Sequence, residues 1–344
     1  MRAIRLNQPG DFTFVDVADV PSPAAGQSLV RVHRVGICGT DLHAFRGSHP
    51  FIRYPLILGH ELGVEVVEVG ECADDDEPAI ACGDKCSLEP YLNCGKCIAC
   101  RNGKTNCCPT LEVLGVHTDG GMCSHLLVPT HKLHKSMSMS LDQLALVETL
   151  GIGAHAVDRA SLQAGENVLV IGAGPIGLSV VQFAQLHDVR LLVADISTRR
   201  LAFCREHMTI ARTLEPGDDL PATLAEMTDG DMPAAIFDAT GNISSMNRTF
   251  GLIAPGGRIV FTGIVADDIK VPDGDFHRVE TTLHATRNST ASDFKRIIRL
   301  IEEGCIDTTP WITHRSEFDD MIDAFPTWLD PDQGVVKAIV EIGA

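Results

Sequence analysis

The sequence predicts an α/β protein with two domains: a doubly wound parallel sheet and a β-rich domain that carries a metal-binding lobe. Three observations predict this fold. The 344 residues are near the limit of a single hydrophobic core, which favours two domains. An apolar strand and a glycine-rich turn occupy residues 168–177, and four closely spaced cysteines precede them at residues 94–108.

The four cysteines have the spacing of a structural zinc site. Cys94, Cys97, Cys100 and Cys108 are separated by two, two and seven residues, so their thiolates can surround one zinc ion tetrahedrally. Such a site leaves no open coordination position and therefore stabilises its lobe without performing chemistry. An iron–sulfur cluster and free buried thiols are the alternatives. Cys107 adjoins Cys108, and because both cannot easily bind one metal, we assign Cys108.

A second group of candidate metal ligands lies upstream of the lobe. Cys38 occurs in Gly-Ile-Cys-Gly-Thr-Asp-Leu-His, and His60 and Glu61 occur in Gly-His-Glu. Cysteine, histidine and carboxylate are ligands that a catalytic zinc accepts while it keeps one position open. Each fragment alone fits a packed or solvated residue equally well.

The glycine-rich turn has the pattern of a dinucleotide-binding site, because it follows an apolar strand and opens a helix. Gly172 permits the sharp turn, Gly174 lets the backbone approach a pyrophosphate, and Gly177 lets helix and strand pack closely. Pro175 and Ile176 complete the predicted binding segment.

The choice of dinucleotide depends on the end of the next strand. Asp195 follows Gly177 by 18 residues, close to the spacing of about 20 at which an acid binds the adenosine ribose hydroxyls. A carboxylate there repels a 2′-phosphate, so NAD is favoured over NADP. Arg199 and Arg200 argue the other way, since a nearby arginine can accommodate that phosphate.

Two later apolar runs, at residues 233–241 and 257–263, are predicted to be further strands of the same sheet. They end at Thr240 and Gly263. Carboxyl ends of strands in an open α/β sheet face the ligand crevice, so both residues are candidate cofactor neighbours. Both fit ordinary turn positions as well.

Together these motifs resemble, in order and separation, the zinc-containing medium-chain dehydrogenase/reductase superfamily, over essentially the whole chain. The resemblance implies a GroES-like catalytic domain at residues 1–150, with its zinc lobe at about residues 90–110. It further implies a Rossmann NAD-binding domain at 151–285 and a return segment, 286–344, that completes the catalytic domain. Two zinc ions per chain are implied, one catalytic and one structural, with hydride transfer to NAD.

The same resemblance assigns roles near the catalytic zinc. Glu148 takes the place of an alcohol dehydrogenase cysteine, as in polyol and threonine dehydrogenases, whereas Glu61 binds the metal in some relatives, so both are named with Cys38 and His60. Either glutamate could instead only support a ligand.

The implied proton path begins at Thr40, which contacts the substrate oxygen, and ends at His43, which passes the proton to solvent. A surface imidazole is the alternative for His43. Asp41 is expected to orient His60.

The substrate is expected to be a small polar secondary alcohol, because Glu148 and an aromatic content of 5% argue against a hydrophobic pocket for long or aromatic alcohols. Residues 49–55 resemble the branch that oxidises sugar acids such as hexonates, and Arg53 or Arg287 could bind the carboxylate. The alternative substrates are neutral polyols such as sorbitol, or the amino acid L-threonine.

Charge excludes other classes of protein. The formal net charge of −18 disfavours nucleic acid and anionic membranes as partners, which argues against a zinc-ribbon nucleic-acid module. The uncharged stretch 167–187 fits a strand and helix better than a membrane span. The N-terminus lacks a secretory pattern, so a cytoplasmic location is expected. Asp74–Glu77 is expected to be a solvated loop.

The resemblance implies a homodimer or homotetramer. A non-catalytic zinc- and NAD-binding regulatory protein is the alternative of another class, and the presence of Cys38, Thr40, His43, His60 and Glu148 together favours catalysis over it.

Overall fold

In the computed structural model, residues 1–71, 80–210, 212–217 and 219–343 are described. The chain divides into two compact units. One comprises Met1–Glu148 with Thr290–Ala344, and the other comprises Thr149–Ser289. The acidic run at residues 74–77 lies outside the described residues.

The first part of the chain is rich in short strands joined by turns. Its strands and helices are, in chain order, β1 (Arg2–Gln8), β2 (Asp11–Asp16), β3 (Gln27–Ile37), α1 (Gly39–Arg46), β4 (Glu61–Val69), β5 (Lys85–Leu88), β6 (Tyr91–Leu92), α2 (Ile98–Arg101), β7 (Glu112–Val113), β8 (His125–Pro129), β9 (Leu133–Lys135), α3 (Leu141–Ala145) and α4 (Val147–Ala160).

The middle part alternates strands and helices. Its elements are β10 (Asn167–Ile171), α5 (Pro175–Ala184), β11 (Arg190–Ala194), α6 (Thr198–His207), β12 (Arg212–Leu214), α7 (Leu220–Met227), β13 (Ala235–Asp238), α8 (Ile243–Arg248), β14 (Arg258–Phe261), α9 (Asp273–Arg278) and β15 (Thr282–Ala285). These strands form a parallel sheet in the order β12-β11-β10-β13-β14-β15, which is the doubly wound dinucleotide-binding order. The predicted α/β fold class is thereby confirmed.

The central strand β10 explains the uncharged stretch. Val168, Leu169 and Val170 are fully buried, as expected for a parallel strand covered on both faces. Gly172 ends the strand with φ +95°, and a Cβ at Gly177 would lie 1.6 Å from the Gly172 carbonyl oxygen. Glycine is therefore required at both positions. Among the described residues, no helix combines the length and apolar character that a membrane span needs.

The last part of the chain returns to the first unit as α10 (Ala291–Glu302), β16 (Ile312–Glu317), α11 (Met321–Ala324) and β17 (Lys337–Glu341). The sheet of that unit has the order β16-β17-β3-β4-β5-β9, with β8 also paired to β3. Only the β16–β17 pair is parallel among these described strands. Strand β3 therefore lies between the C-terminal strand β17 and β4, a position that determines the neighbours of the site described next.

Candidate active site

A group of metal-ligating side chains forms where β3 and β4 pair. Cys38 caps the N-terminus of α1 directly after β3, and Glu61 begins β4 opposite Gly36. The ligand atoms of Cys38, His60 and Glu61 all lie within 4.8 Å of one another. A Cβ at Gly36 would lie 2.2 Å from Glu61 Oε2, so this glycine makes room for the carboxylate.

The buried His60 imidazole faces a carboxylate on its Nδ1 side. His60 Nδ1 lies 3.8 Å from Asp41 Oδ1, and neither atom has a hydrogen-bond partner although both are buried. The other Asp41 oxygen accepts a hydrogen bond from the Cys38 amide at 2.8 Å. Burial alone would lower the pKa of His60, but Asp41 and Cys38 outweigh it and raise that pKa well above its usual value.

These features fit zinc. Sulfur, imidazole nitrogen and carboxylate oxygen are donors that this ion accepts, and a zinc-bound histidine commonly directs its other ring nitrogen to a carboxylate. With Nδ1 on the Asp41 side, Nε2 is the ring nitrogen that would bind the metal.

Glu61 has a cationic partner that sequence reasoning missed. Lys337 Nζ donates to Glu61 Oε1 at 2.7 Å and to Oε2 at 2.8 Å, and both side chains are buried. Burial would lower the pKa of Lys337, but the Glu61 carboxylate outweighs it and raises that pKa. The only signal in the sequence was a lysine at the start of an apolar C-terminal strand.

The second predicted carboxylate, Glu148, lies in the first turn of α4 and is buried. Its Oε1 accepts a hydrogen bond from the Tyr91 hydroxyl. Burial raises the pKa of Glu148, while His60 acts to lower it. Among the described residues, the mutually close group contains Glu61 and does not include Glu148.

The residues proposed for the proton path lie on α1. Thr40 is half-buried and His43 is exposed. His43 Nδ1 is hydrogen-bonded to the Ser48 hydroxyl at 3.0 Å. Arg53 and Arg287, the candidates for a substrate carboxylate, are both exposed.

The cysteine lobe is a second compact group of ligands. The sulfur atoms of its four cysteines lie within 4.8 Å of one another. The Cys97 amide donates to Cys94 Sγ and the Cys100 amide to Cys97 Sγ, each at 3.4 Å. The Cys94 amide donates to Cys108 Sγ and lowers the pKa of that thiol to about 6. Such donors favour thiolates, the form that binds zinc.

The backbone of the cysteine lobe requires glycine at two positions beside the metal-binding cysteines. Gly95 and Gly103 adopt φ +69° and +72°, a left-handed backbone that glycine reaches without strain. Cys107 is exposed and lies outside the group in the described part of the chain.

The glycine-rich turn forms an open backbone face at the start of α5. A Cβ at Gly174 would meet nothing closer than 3.8 Å, where Arg200 lies. Gly174 caps the helix, and Pro175 occupies its first position, with Ile176 following. Free amides at a helix N-terminus bind phosphate well, so this open face fits a pyrophosphate.

Asp195 is already held by the backbone around the turn. It accepts hydrogen bonds from the Ala173 amide at 2.6 Å and from the Ser197 amide at 2.7 Å. Arg200 lies 3.7 Å from its Oδ2. The acid and the arginine that favour opposite dinucleotides therefore lie side by side.

The two other predicted cofactor neighbours lie at adjacent strand ends within the same unit. Thr240 Oγ1 donates to Asp238 Oδ1 at 2.6 Å, directly after β13. Gly263 follows β14, and a Cβ there would lie 2.5 Å from the Gly241 nitrogen.

Two family models match the chain. Residues 24–138 match the alcohol dehydrogenase GroES-like domain, and residues 175–303 match the zinc-binding dehydrogenase family.

Individual relatives agree with these matches. The chain is 36% identical to L-galactonate-5-dehydrogenase of Escherichia coli (strain K12), covering 99% of this chain and 98% of that protein. Its structure resembles a short chain alcohol dehydrogenase from E. coli CFT073 in complex with NADH, with TM-score 0.90, 29% identity and 99% coverage of both chains. It also resembles a putative zinc-binding dehydrogenase from Sinorhizobium meliloti 1021 bound to NADP, with TM-score 0.89, 27% identity and 99% coverage of both. The chain therefore belongs to the zinc-binding alcohol dehydrogenases of the medium-chain dehydrogenase/reductase superfamily.

Proposed function

We propose that this protein is a zinc-dependent NAD dehydrogenase that oxidises a secondary alcohol of a sugar acid to the ketone. The observation that carries the proposal is the close grouping of Cys38, His60 and Glu61 in a chain that also has a dinucleotide-binding sheet. When bound, zinc would supply Lewis acidity to the substrate oxygen and NAD would accept the hydride.

The residues around the metal group divide the remaining tasks. Cys38 and His60 would hold the metal, and Glu61, whose carboxylate is paired with Lys337, would be the third candidate ligand. Thr40 is proposed to take up the proton of the substrate hydroxyl while it releases its own hydroxyl proton to the path that leads to solvent. The exposed His43 is proposed to release that proton to solvent.

The polar character of the site supports a polyhydroxylated substrate. Glu61, Glu148 and Lys337 are all buried, Lys337 is paired with Glu61, and Glu148 acts electrostatically on His60, so oxygen atoms of a substrate would meet charged partners there. The similarity to L-galactonate-5-dehydrogenase favours a hexonate, with exposed Arg53 as the candidate for its carboxylate. The other candidate substrates are polyols such as sorbitol, and the amino acid L-threonine.

NAD is proposed as the dinucleotide. Asp195 is buried and its carboxylate is fixed by two backbone amides, which places a negative charge where NADP carries its 2′-phosphate. Arg200 beside it is the feature that would permit NADP.

Domain roles and an assembly are also proposed. Residues 1–150 with 286–344 are proposed as the catalytic domain, and residues 151–285 as the NAD-binding domain. A homodimer or homotetramer is proposed because β15 is an edge strand whose Leu283 is exposed, and an open edge offers hydrogen bonds to a second copy. A cytoplasmic location is also proposed.

A substrate panel tests the proposed function. The zinc-loaded protein is incubated with NAD and either hexonates, polyols or L-threonine, and NADH is followed by its absorbance. The proposal predicts fastest turnover with a hexonate. If the loaded protein forms no NADH with any of these substrates, the enzymatic proposal is wrong and a non-catalytic zinc and NAD binder becomes the better account.

A further inference from the structure

We infer that Tyr91 is a positioning residue for the catalytic metal, acting through Glu148. The inference rests on the proposed function, because it assumes that Cys38 and His60 hold a metal. The starting observation is that the Tyr91 hydroxyl donates to Glu148 Oε1. Both side chains are buried, with exposed fractions of 2% and 5%.

The hydrogen bond from Tyr91 holds Oε1 of the Glu148 carboxylate and does not involve Oε2. Glu148 acts electrostatically on His60, which the proposed function assigns to the metal, and on Lys337, the partner of Glu61. Fixing Oε1 restricts rotation of the carboxylate about its last bond. The direction that Oε2 presents to the metal group therefore depends on Tyr91.

Tyr91 is itself held on both sides. Its backbone pairs with Val113 in the β6–β7 ribbon, and the cysteine lobe is the loop of that ribbon. Its ring packs edge-on against Phe294, with ring centroids 6.3 Å apart. Glu89, two residues before Tyr91, forms a buried ion pair with Lys132 Nζ at 2.5 Å. This pair anchors the chain on the N-terminal side of Tyr91.

The other side of Tyr91 is anchored to the lobe. Asn93 Nδ2 donates to Cys100 Sγ at 3.5 Å, and Asn93 Oδ1 accepts from Lys132 Nζ at 2.9 Å. Cys94 follows directly and belongs to the four-thiolate group. The structural lobe therefore does more than stabilise the fold, because it fixes the segment that presents the Tyr91 hydroxyl to Glu148.

Zinc release distinguishes this role from simple packing. The zinc-loaded protein is mixed with a chromophoric chelator, and the release of each zinc is timed. The two phases are assigned with His60→Ala, which removes the catalytic site, so that the phase remaining in that variant belongs to the lobe zinc. Tyr91→Phe keeps the ring and removes only the hydroxyl, so the packing against Phe294 is retained.

The expected result for Tyr91→Phe is a catalytic zinc that leaves about 10-fold to 100-fold faster, the range for losing an outer hydrogen-bond partner of a metal site. The lobe zinc should leave at the wild-type rate. Tyr54→Phe is the matched control, since its hydroxyl donates to the Ala44 carbonyl at 2.6 Å. That variant should release both zinc ions as the wild type does.

A double-mutant cycle tests whether Tyr91 acts through Glu148. Glu148→Gln alone is expected to speed release of the catalytic zinc, and adding Tyr91→Phe should change that rate by less than about twofold. Wild-type release in Tyr91→Phe, or effects that multiply in the double variant, would overturn the inference. Failure of the proposed function gives a different result, namely no NADH formation by the zinc-loaded wild type.

Discussion

Lys337 donates hydrogen bonds to both carboxylate oxygens of Glu61, at 2.7 and 2.8 Å, although 276 residues separate the two in the chain. The contact exists because β3 pairs with β4 on one side and with β17 on the other. The ammonium group therefore occupies oxygens that a metal held by Cys38 and His60 would also attract.

This relationship makes the stability of a Lys337 variant depend on metal. Lys337→Met removes the ammonium partner of the buried Glu61 carboxylate, so it should lower the free energy of unfolding of the metal-free protein by about 3–5 kcal/mol. With zinc present the loss should be smaller, because the metal then supplies a positive charge to the Glu61 carboxylate in place of the ammonium group. Thermal or urea unfolding with zinc and with chelator measures both values.

A control for that variant is Lys135→Met, since Lys135 Nζ lies 3.6 Å from Asp84 at a partly exposed position. We expect it to cost no more than about 1 kcal/mol. An equal loss for Lys337→Met with and without zinc would contradict the competition between lysine and metal.

The buried ion pair between Glu89 and Lys132 predicts that the stability of the fold depends on pH in the acidic range. Burial would raise the pKa of Glu89, but His134 and Lys132 outweigh it and hold that pKa below the usual 4.5. Because the folded-state value is the lower one, the stabilisation is complete above about pH 4.5 and disappears as the pH falls through the folded-state value. The temperature at the midpoint of thermal unfolding should therefore decrease as the pH is lowered from about 4.5 through the folded-state pKa of Glu89.

Glu89→Gln tests the assignment at neutral pH. It leaves the buried Lys132 without its carboxylate and should cost about 3–5 kcal/mol, a difference that shrinks as the wild type is acidified. Glu303→Gln, in an exposed pair with Arg299 at 3.9 Å, should cost less than about 1 kcal/mol. A pH-independent difference between Glu89→Gln and the wild type would show that Glu89 is not the titrating group.

The lobe predicts separable metal sites. Cys100→Ser should lose one zinc per chain and lower the melting temperature, while the zinc at Cys38 and His60 is retained. Cys107→Ser is the matched control, because Cys107 is exposed and outside the thiolate group of the described residues. Metal content by mass spectrometry checks both; loss of zinc from Cys107→Ser instead would reassign the fourth ligand.

The dinucleotide preference depends on Asp195. Its replacement by Ala should weaken NADH binding about 10-fold to 100-fold, since a charged hydrogen-bond partner contributes about 1.5–3 kcal/mol. NADPH binding should weaken less, so the preference for NAD narrows. Titration by nicotinamide fluorescence measures both constants.

Arg200→Ala is the comparison for that variant, and it should weaken NADPH binding more than NADH binding. If Asp195→Ala keeps the wild-type ratio of the two constants, Asp195 does not select the dinucleotide.

Much of the fold was predictable because its signals are local. The apolar run before Gly172 became β10, and the helix predicted to follow the glycine-rich turn became α5. The requirement for glycine at 172 and 177 follows from one turn and one close contact. Likewise the four cysteines lie close in sequence, so their spacing alone predicted that they would meet.

The supports of the site were not predictable, because they depend on long-range pairing. Lys337 reaches Glu61 only after β17 pairs with β3. Tyr91 reaches Glu148 across 57 residues, and its sequence context showed only a strand end beside the cysteine lobe. No periodicity or motif spacing records such contacts.

The most direct test of the central claim is NADH formation during stepwise removal and return of the catalytic zinc, with a hexonate as substrate. The account predicts that the rate falls in proportion to the zinc lost from Cys38 and His60 and returns when zinc is restored. An undiminished rate after that zinc has left, with only the lobe zinc remaining, would contradict it.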